Sequence, residues 1–361
     1  MFNKKIEKII GTLIVFLAIL KYYSVFIPVI IPSSVIMLSS LGLSTVLILL
    51  NIKRYKLIHY LFFGVLAVQF VMSRNITLLY IYYLCLALYN IDFKYILKVA
   101  LVLHTAFFII LLVRNIVGIS PTEYIEGRND FGFGNPNTAF LSMYVIWTIY
   151  LALRYENLKK VDVALLGLLM FAMYSQTNTR TGLLAGIMTV IAVVLFKYRH
   201  DSKLCKYAVI SIPSAITVVS IFVAIFLKGN YFLNKILSHR PMYWNAYLTN
   251  STHGLNLFGY PSNIREILFT MRMPLDSGYM WSLYSSGIVV YMFLIIFLTV
   301  TLYILWNEDK KAEILFMISI LLYCFAESVM LEVAVNFGLI LMVYGMSKLD
   351  LKRLITKKKK I

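Results

Sequence analysis

Seven arginines, Arg74, Arg114, Arg128, Arg180, Arg240, Arg265 and Arg272, stand at the ends of apolar stretches or inside two long polar segments. A guanidinium presents a planar fork of donors that grips phosphate or carboxylate through paired hydrogen bonds, and it keeps its charge at any physiological pH. Such a set is suited to holding an anion. Two residues nearby have the chemistry of a general base. Asp276 precedes a helical start in LDSGYMWSLYSSGI, where a positioned carboxylate can take a proton from an attacking hydroxyl. His253 shares a segment with Arg240, Arg265 and Arg272, and an imidazole there can serve as a general base. Tyr243, Trp244 and Tyr279 add rings whose apolar faces suit sugars as well as a membrane interface.

Each residue has a plainer role open to it. The arginines can snorkel or pair with Glu123, Glu126, Asp130, Glu266, Asp276, Glu327 and Glu332. Asp276 can simply favour the positive end of a helix dipole, and His239 and His253 can be structural.

The elements that must position these groups are apolar helices. Of 361 residues 61% are hydrophobic and 14% charged, with a mean hydropathy of +0.82, which excludes a water-soluble fold. Apolar blocks near 9–27, 31–50, 57–73, 76–91, 97–117, 136–153, 162–176, 181–196, 207–227, 278–305, 313–329 and 332–347 predict an all-α, polytopic membrane protein of about twelve passes. The last two blocks are short enough for a re-entrant hairpin. The N-terminal block carries no small-residue cleavage site and reads as an uncleaved first helix. Cys85, Cys205 and Cys324 have no paired spacing.

Lysine retention places the N-terminus, the even-numbered connections and a basic tail over 348–361 in the cytoplasm. On that topology 20 Lys and 4 Arg lie inside, against 3 Lys and 7 Arg outside. The rule treats the two cations alike, so it does not account for arginine on the outer face; an outward-facing anionic ligand such as a lipid diphosphate does. The net charge of +18 follows from topology and attraction to anionic head groups, not from nucleic-acid binding.

Two outer loops, 118–135 and 228–277, hold most of the candidates. In the first, Asn135 is expected to cap the sixth helix with Pro136 in its first turn. Gly132 and Gly134 free the backbone for close approach to a ligand, beside Arg128. In YSQTNTRTG (174–182), Thr179 or Thr181 is expected to cap the eighth helix. Arg180 there needs a partner, supplied by Glu327, Glu332 or a substrate. No nucleotide loop, serine elbow or zinc helix motif occurs, and no compact acidic cluster calls for a metal or other cofactor.

Four stretches, in order, carry a resemblance: GRNDFGFGNPNTAF (127–140), QTNTRTGLLAG (176–186), LSHRPMYWNAY (237–247) with LFGY (257–260), and LDSGYMWSLYSSGI (275–288). A polar CFAES…NFGLIL follows. Together they resemble the O-antigen ligase and polymerase superfamily, the Wzy-type polymerases of bacterial surface polysaccharides. The first 115 residues match only in hydropathy. The resemblance implies metal-independent glycosyl transfer on the outer face of a bacterial plasma membrane, from a polyprenyl-diphosphate-linked glycan, in a fold related to membrane glycosyltransferases of the C type. Arg180 and Arg240 correspond to the arginines that hold the diphosphate in similar enzymes. Asp276 stands where similar ligases carry a histidine, a departure that favours a polymerase and leaves the base open between Asp276 and His253. A flippase and a chain-length regulator are the partners such a polymerase would have. The alternatives are a ligase that moves glycan to another acceptor, a non-catalytic assembly subunit, and a twelve-helix transporter, against which the lack of an internal repeat counts.

Overall fold

The computed structural model describes residues 2–27, 31–199, 202–261, 263–264, 274–325 and 327–349. Arg265, Arg272, Glu266, most of the basic tail and part of the 228–277 loop lie outside them. The chain is all-α apart from one small hairpin. Its helices are α1 (Phe2–Tyr23), α2 (Ser33–Leu50), α3 (Leu57–Ser73), α4 (Thr77–Leu88), α5 (Phe93–Ile116), α6 (Pro136–Arg154), α7 (Lys160–Thr177), α8 (Arg180–Arg199), α9 (Lys203–Phe226), α10 (Tyr231–Ile236), α11 (Arg240–Thr249), α12 (Gly278–Asn307), α13 (Lys311–Tyr323) and α14 (Gly338–Lys348).

Among the described residues six helices are long and apolar enough to cross a membrane: α2, α5, α6, α8, α9 and α12. Their outward faces carry Leu38, Leu49, Val102, Leu184, Val218 and Met292, all exposed, an arrangement that only an apolar solvent tolerates. The helices fit a membrane-embedded protein. α3, α4 and α14 are apolar but shorter.

Polar side chains tie the interior. Tyr144 of α6 donates to the Ser319 carbonyl of α13 at 2.9 Å and shares a 2.8 Å hydrogen bond with Thr189 of α8. His104 of α5 joins Tyr23 of α1 at 3.1 Å and the Ala334 carbonyl at 2.8 Å. Such bonds hold helices together where lipid supplies no hydrophobic driving force.

The expected last pair of helices is replaced by something more irregular. α13 stops at Tyr323 and α14 starts only at Gly338, and the connection between them turns without helix while Met330, Val333, Ala334, Val335, Asn336 and Phe337 are buried in protein. Non-helical backbone is tolerated there because its polar groups find partners: Cys324 O accepts from Gly278 N at 2.7 Å and Met330 O from the Asn336 amide at 2.8 Å.

A second irregularity breaks α12 at Gly287, whose φ of 80° no helix contains. The freed N–H groups of Ile288 and Val289 donate to Asn256 O and Leu257 O at 3.0 and 3.2 Å, and Ser285 O accepts from Tyr260 N at 3.1 Å. The LFGY segment (257–260) therefore inserts into the helix break. Gln69 and Asn75, at the end of α3 and just beyond it, clamp the segment from behind by donating to Phe258 O and Tyr260 O at 3.3 and 2.9 Å.

Candidate functional site: an arginine-lined cavity

Arg128 is placed by a tight hairpin. β1 (Tyr124–Ile125) pairs antiparallel with β2 (Arg128–Asn129), and the two residues between, Glu126 at φ 53° and Gly127 at φ 74°, have the left-handed backbone of a type I′ turn. Asp130 then organises the loop. Its buried carboxylate accepts from Glu123 N at 2.9 Å, Gly132 N at 3.0 Å and Gly134 N at 2.9 Å. It is a loop brace, not the counter-ion for an arginine that the sequence suggested. Gly132 approaches Ser120, and neither it nor Gly134 lines the cavity described below. Asp130→Ala is expected to lower stability by about 3 kcal/mol, from three buried N–H groups losing a charged acceptor. A thermal unfolding scan with protease cleavage across 118–135 checks it.

Asn135 caps α6 as expected, accepting from Asn137 N at 2.8 Å with Pro136 in the first turn. α7 ends at Asn178, whose left-handed φ of 46° turns the chain directly into α8. Thr179 precedes that helix and its carbonyl accepts from Leu183 N, but its hydroxyl donates to Asn137 at 3.3 Å.

Four helix starts meet at one cavity of about 570 Å³. α6 contributes Asn137, α8 contributes Arg180 and Thr181 after Asn178, α11 contributes Arg240 and Tyr243 after Ser238 and His239, and Pro274 and Asp276 precede α12. Glu126 and Arg128 complete the wall. Helix N-termini carry partial positive charge and unsatisfied N–H groups, so the cavity is built to receive an anion even before its arginines are counted. Ser238 and His239 are also held at φ 51° and 62°, where an L side chain costs about 1–2 kcal/mol. Backbone strain of this kind gathers at functional sites.

The three arginines are differently committed. Arg240 is buried: Nε donates to Asp276 O at 3.2 Å, and Nη2 lies 3.5 Å from Glu327 Oε1 and 3.8 Å from Asp276 Oδ2. Arg128 meets neutral acceptors, its Nε donating to Thr177 O at 2.7 Å and its Nη2 to Asn137 and, at 3.4 Å, Thr179. Among the described residues no carboxylate forms an ion pair with it. Burial lowers the Arg128 pKa; Glu126 and Glu327 oppose the shift, while Arg180 and Arg240 push with it. Arg180 is exposed to the cavity, and among the described residues no side chain pairs with its guanidinium.

Glu327, weighed in the sequence as a partner for Arg180, pairs instead with Arg240. It hangs from the irregular connection after α13, with 14% of its side chain exposed. Burial first, then repulsion from Asp276, pushes its carboxyl up to about 8, against the pull of Arg240 and Arg128. Below that pH it is protonated and leaves the cavity cationic; above it, the ionised group competes with any incoming anion. Anion affinity is therefore expected to fall as pH rises through about 8, and Glu327→Gln to flatten that fall. Pyrophosphate titrations on either side of that pH, read as the ratio of parent to variant, check it.

Of the other sequence candidates, Asp276 faces the cavity with 40% of its side chain exposed, and Tyr243 lines it. His253 does not: its ring lies 6.0 Å from that of Tyr260, and its carbonyl accepts from Tyr284 at 2.8 Å. Trp244 and Tyr279 are fully buried, Trp244 against Phe325 and Tyr279 donating to Leu321 O at 3.2 Å, and neither lines the cavity. Arg74 ends α3 and Arg114 bonds Ser120; neither lines the cavity. Asn137, Asn178, Thr181, Ser238 and His239 were not singled out as ligand contacts. The signal they share is position, since each sits at or just before a helix start.

Comparison with protein-family models, with curated proteins and with solved structures finds no match. Fold and cavity define a helical, membrane-type protein with an arginine-lined cavity at its helix N-termini.

Proposed function

We propose that this chain polymerises polyprenyl-diphosphate-linked oligosaccharide repeats on the outer face of a bacterial plasma membrane, within a twelve-pass, C-type glycosyltransferase-like fold whose termini are cytoplasmic. The observation that carries the reading is the convergence of Arg128, Arg180 and Arg240 with Asp276 on one cavity of about 570 Å³. The resemblance of the four sequence stretches supports it.

In this reading Arg180 and Arg128 hold the diphosphate, and Arg240 adds charge from beneath. A hydroxyl of the acceptor repeat attacks the anomeric carbon, the bond to the diphosphate oxygen breaks, and Asp276 takes the hydroxyl proton. Diphosphate is already a good leaving group, so fixed positive charge and orientation are the protein's main contributions. Asp276 is the base, since His253 lies away from the cavity.

The test is the purified protein in lipid nanodiscs, given a synthetic polyprenyl-diphosphate oligosaccharide. A ladder of repeat multiples with release of polyprenyl diphosphate is the expected product. Single transfer to a different acceptor would make it a ligase, and binding without turnover an assembly subunit; either result overturns the polymerase.

A further inference from the structure

A second, chemically different recess lies along α8 and α9, toward the end of the bundle opposite the arginine cavity. It is a groove of about 470 Å³ with Ile191 and Leu195 of α8 on one wall, Ala208 and Ile212 of α9 on the other, and Ile318 and Leu322 of α13 as its floor. Ile191 and Leu195 are 44% and 46% exposed, so the walls open toward the surrounding bilayer, whereas Ile318 is buried. From Met188 to Arg199 the groove runs along ~16 Å of α8 at the helical rise. That is the depth of one leaflet, half of a hydrocarbon core roughly 30 Å thick.

The mouth of the groove is cationic. Arg199 and Ser202 line it and Lys203 follows. Among the described residues neither Arg199 nor Lys203 has a carboxylate partner. The neighbouring lysines are all committed: Lys94 to Glu156 at 3.1 Å, Lys197 to Leu158 O at 3.1 Å, Lys310 to Glu308 at 3.1 Å and Lys311 to Asp309 at 3.3 Å. An apolar slot one leaflet deep, with Arg199 at its surface end and Lys203 next to it, neither paired to a carboxylate among the described residues, is complementary to a lipid with one chain in the slot and a negative head at the mouth.

We propose that this groove is a binding site for an anionic glycerophospholipid such as phosphatidylglycerol. The slot alone would not select among lipids, because an acyl chain gains little by leaving other chains for apolar side chains. Selection comes from the head group. A net negative head meets Arg199 and Lys203, whereas phosphatidylcholine carries its own ammonium. Two surface cations imply a preference of roughly thirtyfold. The arginine cavity begins at Arg180, nineteen residues or ~28 Å along the same helix, so the two sites open to opposite leaflets. The groove lipid is therefore a different molecule from one bound by its head group at the arginine cavity.

The full-length protein in nanodiscs of phosphatidylcholine doped with phosphatidylglycerol provides the test, with bound lipid read by native mass spectrometry. Phosphatidylglycerol is expected to be enriched roughly thirtyfold over its bulk share. Arg199→Gln combined with Lys203→Gln should abolish the enrichment while a neutral lipid still binds, and Arg199→Lys should keep it. Ala208→Trp, which fills the slot, should remove the bound lipid altogether. Unfolding midpoints confirm that the variants are folded. Absence of enrichment in the parent protein, enrichment indifferent to these changes, or displacement of phosphatidylglycerol by polyprenyl phosphate would overturn the proposal. The readout contains no glycan, so it stands or fails separately from the polymerase reading.

Discussion

Arg180→Ala is expected to reduce polymer formation by about 10²–10³-fold, the usual loss when one preorganised group facing developing negative charge is removed. The protein should remain folded, because the Arg180 guanidinium has no side-chain partner among the described residues. Arg180→Lys should recover only part of the loss, since a lysine restores charge but not the two-pronged grip on a phosphate. Product ladders from nanodisc-embedded protein, normalised to folded protein, measure both. Full-length ladders from Arg180→Ala would remove this residue from the mechanism. The same change at Arg240 would be harder to interpret. Removing a buried cation that lies between Asp276 and Glu327 takes from both side chains their common partner, at a stability cost of about 3–5 kcal/mol.

The second large effect is structural. Gly287→Val should prevent folding, at a cost of about 5 kcal/mol or more. A Cβ at position 287 would lie 2.4 Å from both Leu257 O and Gly259 N, and the φ of 80° is one that β-branched residues avoid. Moving the backbone to relieve that contact would break the bonds from Ile288 and Val289 to Asn256 and Leu257, leaving those backbone groups unpaired. Gly259→Val should behave alike, because a Cβ there falls 2.1 Å from Ser285 O. Gly42→Ala, in α2 with no neighbour within 4 Å, is the control and should leave stability unchanged or slightly raised. Detergent-solubilised yield and unfolding midpoints separate these outcomes.

That interlock was hidden in the sequence. LFGY could be quoted as a motif, but nothing in its composition says that it fills a break in a helix some thirty residues later, since Gly259 and Gly287 are related only through space. The irregular stretch between α13 and α14 was obscured for a similar reason. It is nearly as apolar as a span, and hydropathy registers burial without distinguishing lipid from protein as the surrounding medium. Glu327 accordingly read as part of the apolar block 313–329, and its pairing with Arg240, 87 positions away, came from packing alone.

Local chemistry was more transparent. Asn135 with Pro136 announced the start of α6 because a cap is satisfied within a few residues, whereas the Thr179 hydroxyl turned to Asn137, a partner from another helix. Trp244 and Tyr279 are buried and do not line the cavity, which the sequence could not show because an aromatic ring beside a candidate site gives no indication of which way its helix faces.

The sequence by itself determined an all-helical chain with apolar spans, and it offered Arg128, Arg180, Arg240, Arg265, Arg272, Asp276 and His253 as candidates for chemistry without choosing among them. These are properties of composition and short-range pattern. Only the tertiary structure decided that Arg128, Arg180, Arg240 and Asp276 share a cavity, that the Arg180 guanidinium has no side-chain partner among the described residues, and that Asp276 faces the cavity while His253 does not. The reason is physical: a helix start directs its dipole and first side chains along one axis. Whether four such axes, separated by more than a hundred residues of chain, meet at one point depends on how whole helices pack.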